Sequence, residues 1–366
     1  IANILVASAV YDDLSGPLYP SMEPIAGSLS SAHCGGCHEQ IYRDWLPSAH
    51  GRAHLDPLYL ADFRHQHKPY PCEYCHTPLV EQRPEIVTGI WTVWPRLVAR
   101  SHSNPEYQED LRSDGVGCVV CHQRDGAMLG PFEASQTAGH PTKKAILGVD
   151  TCRPCHDLNL TIGSDLSRPI QDTFGEWEQH QKAGGDKTCI DCHMPRTAPR
   201  PVATNGPPRL GRDHRIKGPR DVSFLRQGVS ISSADFDADS GVATITINNG
   251  TGHRLPTAEP QRRVEVRLES YGQDNTAIDA ARYNIQRVIL LPRLVEVSDN
   301  TLMPLESRAI RLKVKVKDAR RVRAEVTFHL WDPDHIAARK SRIRPSDLKI
   351  QVWTQTWDLI PPAQVR

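Results

Sequence analysis

The 366-residue sequence contains no apolar run approaching the ~18 residues that a transmembrane helix requires, so no transmembrane segment is expected. The stretch from Ile4 to Val10 is broken by Ser8 and has no basic flank. It therefore does not read as a signal peptide, and a soluble, already processed chain is expected. An excess of one charge sign is also missing, since 44 Lys and Arg face 43 Asp and Glu. That balance argues against nucleic acid or any other polyanion as the main partner. Cysteine outside one repeated pentapeptide is absent altogether, which leaves nothing for a disulfide framework. At about 100–200 residues per domain, the length suggests two domains.

All ten cysteines fall in Cys-x-x-Cys-His units. These are Cys34, Cys37 and His38; Cys72, Cys75 and His76; Cys118, Cys121 and His122; Cys152, Cys155 and His156; and Cys189, Cys192 and His193. Cysteines at i and i+3 share one face of a helical turn, where both sulfurs reach the two vinyl groups of one porphyrin. Histidine at i+4 then points into the iron as the proximal ligand. Zinc would need the cysteines in fours, and five equal units leave one over. A disulfide scaffold gives no reason for a histidine after every second cysteine. The pattern therefore predicts five covalently attached haem c groups, with iron as the metal. So many attachment sites between Cys34 and His193 leave few residues for an ordinary core. The porphyrins are expected to form most of the buried apolar surface, and folding is expected to need their attachment. Their propionates turn the net charge negative, and some of the arginines are expected to compensate them.

A second axial ligand on each iron has to come from elsewhere. The other histidines are His33, His50, His54, His65, His67, His102, His140, His180, His214, His253, His329 and His335. Methionine is no better source, because there are four and Met194 adjoins a proximal histidine. Histidine on both faces gives a six-coordinate haem of low potential.

The order of motifs carries a resemblance. Cys34-Gly-Gly-Cys-His followed by Trp45-Leu-Pro-Ser-Ala-His50, and later Gly115-Val-Gly-Cys118-Val-Val-Cys-His, resembles the tetrahaem cytochrome that takes electrons from hydroxylamine oxidoreductase. Phe174-Gly-Glu-Trp177-Glu-Gln-His180, Cys189-Ile-Asp-Cys-His-Met-Pro195 and Asp213-His214-Arg-Ile are similar to larger multihaem c-type cytochromes, among them pentahaem nitrite reductase and octahaem enzymes. The likeness spans roughly residues 30–217. It implies His50, His140, His180 and His214 as distal ligands. The fifth stays open between His102, His54, His65, His67 and His253, with most weight on His253. That residue lies in the turn Asn249-Gly-Thr-Gly-His253-Arg-Leu-Pro256-Thr, of a kind that occurs in domains appended to multihaem cytochromes; the turn also reads as a plain strand connector. In the tetrahaem relative the second site keeps an open coordination position. The resemblance also implies a periplasmic or extracellular location, because c-type haem is attached outside the cytoplasmic membrane.

After about Gly218 the pattern alternates with period two, as in Val242-Ala-Thr-Ile-Thr-Ile-Asn-Asn. Further strands are expected over 263–270, 310–316, 321–330 and 349–357. The expected layout is a multidomain chain with an N-terminal extension over 1–29, a mostly helical and irregular pentahaem domain over 30–217, and an antiparallel β-sandwich over 218–366. Lys313, Lys315 and Lys317 read either as a dock for an acidic redox partner or as charges protecting a strand edge. No catalytic constellation is visible.

The function expected is electron transfer between a redox donor and a redox acceptor. The alternative is a reductase or dehydrogenase of a small nitrogen or sulfur compound, with one open haem position. Against it, all five motifs end in histidine, whereas the nitrite reductase uses lysine at its catalytic attachment site. A homo-polymeric haem filament, with His33, His50 or His253 ligating a neighbouring copy, or a membrane-associated redox complex, is compatible with electron transfer.

Overall fold

A computed structural model describes residues 18–359 apart from 20–21, 66–69, 94–95, 134–138, 159–165, 291–294, 333–335 and 337–342. The stretch from Ile4 to Val10, His67 and His335 lie outside the described residues. The chain divides into two compact units, Ile1–Gly163 with Lys187–Gly218, and Ser164–Asp186 with Pro219–Arg366. Residues 164–186 thus group with the C-terminal unit, although in sequence they fall between the fourth and fifth motifs.

In the first unit each motif winds into a single helical turn. Helix Ser31–Gly35 is capped by the Ser30 hydroxyl, which accepts from the Ala32 amide. Beyond it the Cys37 and His38 amides both donate to the Cys34 carbonyl, at 3.1 and 2.8 Å, so the turn runs through the whole pentapeptide. The other motifs lie in or against helices Tyr70–His76, Cys118–His122, Arg153–His156 and Cys189–His193. A capping box between Thr188 and Asp191 starts the last of these.

The apolar core of this unit is small: Leu29, Leu79, Leu111, Val119 and Val120, with Tyr19, Met22 and Val116 packed against it. Buried amide side chains fasten the loops around it. Gln82 donates to the carbonyls of Leu111 and Gly115 at 3.1 and 2.7 Å, and Asn104 to those of Val80 and Arg83 at 2.8 and 2.7 Å. Leaving such groups unpaired costs about 1–3 kcal/mol each, so these contacts fix one loop path. The expectation of a mostly helical and irregular segment did not include the antiparallel hairpin of β1 (Glu85–Val93) and β2 (Arg96–Ser103). Short strands β3 (Gln123–Arg124), β4 (Ala127–Gly130) and β5 (Thr142–Lys144) form one small sheet, and β6 (Arg200–Pro201) with β7 (Pro208–Arg209) another.

The second unit is built on two antiparallel sheets. One has β12 (Val295–Asp299), β11 (Ala277–Leu290), β10 (Arg263–Tyr271), β14 (Arg321–His329) and β15 (Lys349–Asp358) side by side in that order. The other has β13 (Ser307–Lys313), β9 (Val242–Asn249) and β8 (Val229–Asp237). Alternation places Ala243, Ile245 and Ile247 of β9, Val264, Val266 and Leu268 of β10, and Val322, Ala324 and Val326 of β14 wholly inside. Strand β13 touches β10 and β11, and β15 touches β8, so these inward faces share one interior.

Ion pairs bind residues 166–186 into this unit. Arg168 reaches Glu176 at 2.6 Å and Asp299 at 3.0 Å. Arg287 donates to the Pro169 and Arg168 carbonyls at 2.6 and 2.8 Å and pairs with Glu296 at 2.8 Å. Glu176, on helix Thr173–Lys182, has no solvent exposure and accepts from Arg168, the Thr257 hydroxyl and the Arg254 amide. A buried carboxylate this fully bonded is tolerated where an unpaired one would not be.

Candidate metal centres

Four of the five proximal histidines share one local device. Nδ1 of His38 lies 2.7 Å from the Val202 carbonyl, that of His76 2.6 Å from Ala53, that of His122 2.8 Å from Leu129 and that of His193 2.6 Å from Lys217. A carbonyl only accepts, so each Nδ1 must carry the proton and each Nε2 keeps its lone pair. That is the tautomer and orientation a metal-ligating histidine needs.

Three proximal rings, those of His38, His122 and His156, face a second histidine. His38 and His140 have centroids 6.3 Å apart, His50 and His156 6.3 Å, and His122 and His214 6.2 Å. With about 2 Å from metal to each nitrogen and about 1 Å more to each ring centre, two imidazoles on opposite faces of one metal ion have centroids about 6 Å apart. Rings stacked face to face sit closer, as Tyr59 and His76 do at 3.9 Å. The three pairs therefore fit axial ligation of one iron each. Burial, with the neighbouring His193 and His76, pushes His50 down to about 4. Burial and the neighbouring His122 do the same to His214. Both rings are thus neutral near pH 7, as ligation requires.

The motifs also touch one another through sulfur. Cysteines of different motifs influence one another: Cys34, with burial, pushes the Cys118 thiol up, as Cys75 does for Cys155 and Cys189 for Cys152. Each pair joins two different motifs, and none of the ten cysteines is in a disulfide. Among the described residues no three His, Cys, Asp or Glu side chains converge on one point, as a zinc site would demand.

The remaining candidates are placed differently. His102 is exposed on β2, with Nδ1 3.1 Å from the Ser103 carbonyl. His65 is exposed at the end of helix Pro57–His65. His54 accepts at Nε2 from Arg112 at 3.1 Å, which commits the nitrogen a metal would use. His180 and His253 both belong to the second unit. His180 is buried on helix Thr173–Lys182, its ring against Gly185, where a Cβ would fall 2.0 Å from Cε1. His253 is half-buried, and its Nδ1 lies 2.9 Å from the Arg254 carbonyl, the arrangement the proximal histidines show. Asn249 holds the turn around it by donating to the carbonyls of His253, Leu302 and Met303.

Sequence reading missed Tyr59, stacked on His76, and the carbonyls that orient the proximal rings. Backbone acceptors leave no trace in residue identity, and an isolated tyrosine on a short helix carries no motif.

No family model and no curated protein matches the chain. A solved structure does: the penta-heme cytochrome c552 from Thermochromatium tepidum, with a TM-score of 0.67 and 18% identity, over 92% of this chain and 100% of that one. At that identity the likeness speaks for the fold.

Proposed function

We propose that this chain binds five haem c groups, one at each Cys-x-x-Cys-His motif, and carries electrons between a redox donor and a redox acceptor. The observation that carries the reading is the set of three histidine pairs at iron-spanning separation. The likeness to a penta-heme cytochrome supports it. Bound haem iron supplies one-electron exchange between its ferric and ferrous states. The chain's own residues tether, orient and shield. The thiols anchor each porphyrin at two points, and the carbonyls of Val202, Ala53, Leu129 and Lys217 hold the proximal rings. His140, His50 and His214 would close the opposite faces for the first, fourth and third motifs and so keep small ligands out there.

Cysteines of motifs one and three, two and four, and four and five neighbour one another, so the porphyrins they would tether would lie close together. The fourth site would then adjoin two others and would serve as a junction. In this reading residues 30–217 form the cytochrome part and 218–366 a β-sandwich, with His180 and His253 as further ligands. The place of action is the periplasm or cell surface.

Low-temperature EPR of the oxidised protein with a spin count tests the function. Low-spin signals from every haem are the expected result. A stoichiometric high-spin signal that shifts with nitrite, hydroxylamine or sulfite would instead favour a reductase.

A further inference from the structure

The second motif is bounded by aromatic rings on its proximal side. Tyr59 lies face to face with His76, centroids 3.9 Å apart and planes 9° from parallel. Phe63 backs Tyr59 at 5.2 Å and 21°. Both project from helix Pro57–His65, one turn apart, and both are buried. The helix start is set by the Asp56 carboxylate, which accepts from the Leu58 and Tyr59 amides at 2.8 and 3.3 Å. On its remaining side His76 is held by the Ala53 carbonyl at 2.6 Å. A ring pinned at Nδ1 alone can still rotate about that hydrogen bond; a parallel aromatic wall removes the rotation.

From this clamp we infer that Tyr59 is a positioning residue for the second haem: its ring fixes the plane of the His76 imidazole relative to the porphyrin and so sets the electronic state of that one iron. The inference rests on the haem reading above. The phenol ring, rather than the hydroxyl, does the positioning. Tyr59 Oη is buried with no hydrogen-bond partner among the described residues, whereas a buried tyrosine chosen for its hydroxyl normally has one. An ordinary core tyrosine would affect stability alone. A clamp on a ligand plane affects the spectrum and potential of its own haem, because groups that orient a ligand tune the metal behind it.

The test uses the full haem-loaded chain in four forms: unaltered, Tyr59→Leu, Tyr59→Phe and Phe63→Leu. Haem content of the unaltered chain is measured first by pyridine haemochrome. A chain without haem refutes the haem reading itself, separately from the role of Tyr59. EPR and a spectroelectrochemical titration then follow each haem. Tyr59→Leu is expected to shift the g-values and midpoint potential of one haem and leave the others in place. Tyr59→Phe, which keeps the ring, is expected to restore the original signal, and Phe63→Leu to shift the same haem by less. Unshifted signals in Tyr59→Leu, or a Tyr59→Phe shift as large as that of leucine, would overturn the inference. Where the leucine variant fails to accumulate, Phe63→Leu decides: a shift confined to one haem supports the clamp, and no shift overturns it.

Discussion

His122 and His214 face each other with ring centroids 6.2 Å apart and planes 24° from parallel, the most nearly parallel of the three histidine pairs. His214 follows the fifth motif in sequence and yet lies opposite the proximal histidine of the third. Its Nδ1 is 2.9 Å from the Arg212 carbonyl, which leaves the lone pair on Nε2. Replacing it with methionine exchanges a bis-histidine pair for a histidine–methionine pair, which raises a haem potential. His214→Met should therefore move one component of a spectroelectrochemical titration to higher potential and leave the rest unmoved. A titration curve identical to that of the unaltered protein would remove His214 from the ligand set.

Gly185 offers a steric test in the second unit. A Cβ there would stand 2.0 Å from Cε1 of His180, and real Cβ atoms do not approach so closely. Gly185→Ala must displace the buried His180 ring or the backbone that carries it, at a cost of about 1–3 kcal/mol typical of overpacking. Thermal unfolding followed by circular dichroism should show a lowered midpoint. If His180 also ligates iron, one haem changes its spectrum in the same variant.

Acid should loosen the attachment of residues 166–186. Burial pushes the Asp299 carboxyl up, but the hydroxyl and amide of Thr301 and the Arg168 guanidinium outweigh it and hold the carboxyl below its ordinary value. Burial of Glu296 is likewise outweighed by Arg287 and Ser167. A depressed folded-state pKa stabilises the fold fully above the unfolded value, about 4, and the contribution disappears as pH falls through the folded value. Limited proteolysis between pH 7 and pH 3 should find cleavage in 166–186 only at the acid end. Asp299→Asn should advance that cleavage to higher pH, and equal protection of both proteins throughout would contradict the assignment.

The attachment motifs were legible because all five residues of each lie in one helical turn, so chemistry and spacing coincide. Strand β9 was legible for a similar reason, its alternation of Ala243, Ile245 and Ile247 being local. Ligand pairing was not. His140 follows the third motif but faces His38 of the first, and His50 follows the first but faces His156 of the fourth. Those choices are made by loops folding across the unit, guided by buried amides such as Gln82 and Asn104 that look like ordinary surface residues in sequence. Strand β11 was missed because Asp279, Arg282 and Asn284 interrupt its apolar positions. The placement of residues 166–186 depends on Arg168 meeting Asp299, and on Arg287 meeting the Arg168 and Pro169 carbonyls, far apart along the chain.

Intact mass spectrometry of the purified protein under denaturing conditions tests the central claim most directly, since thioether-bound haem survives unfolding. The account predicts the polypeptide mass plus five haems, with no thiol left to alkylate. The bare polypeptide mass, with ten alkylatable cysteines, would contradict it.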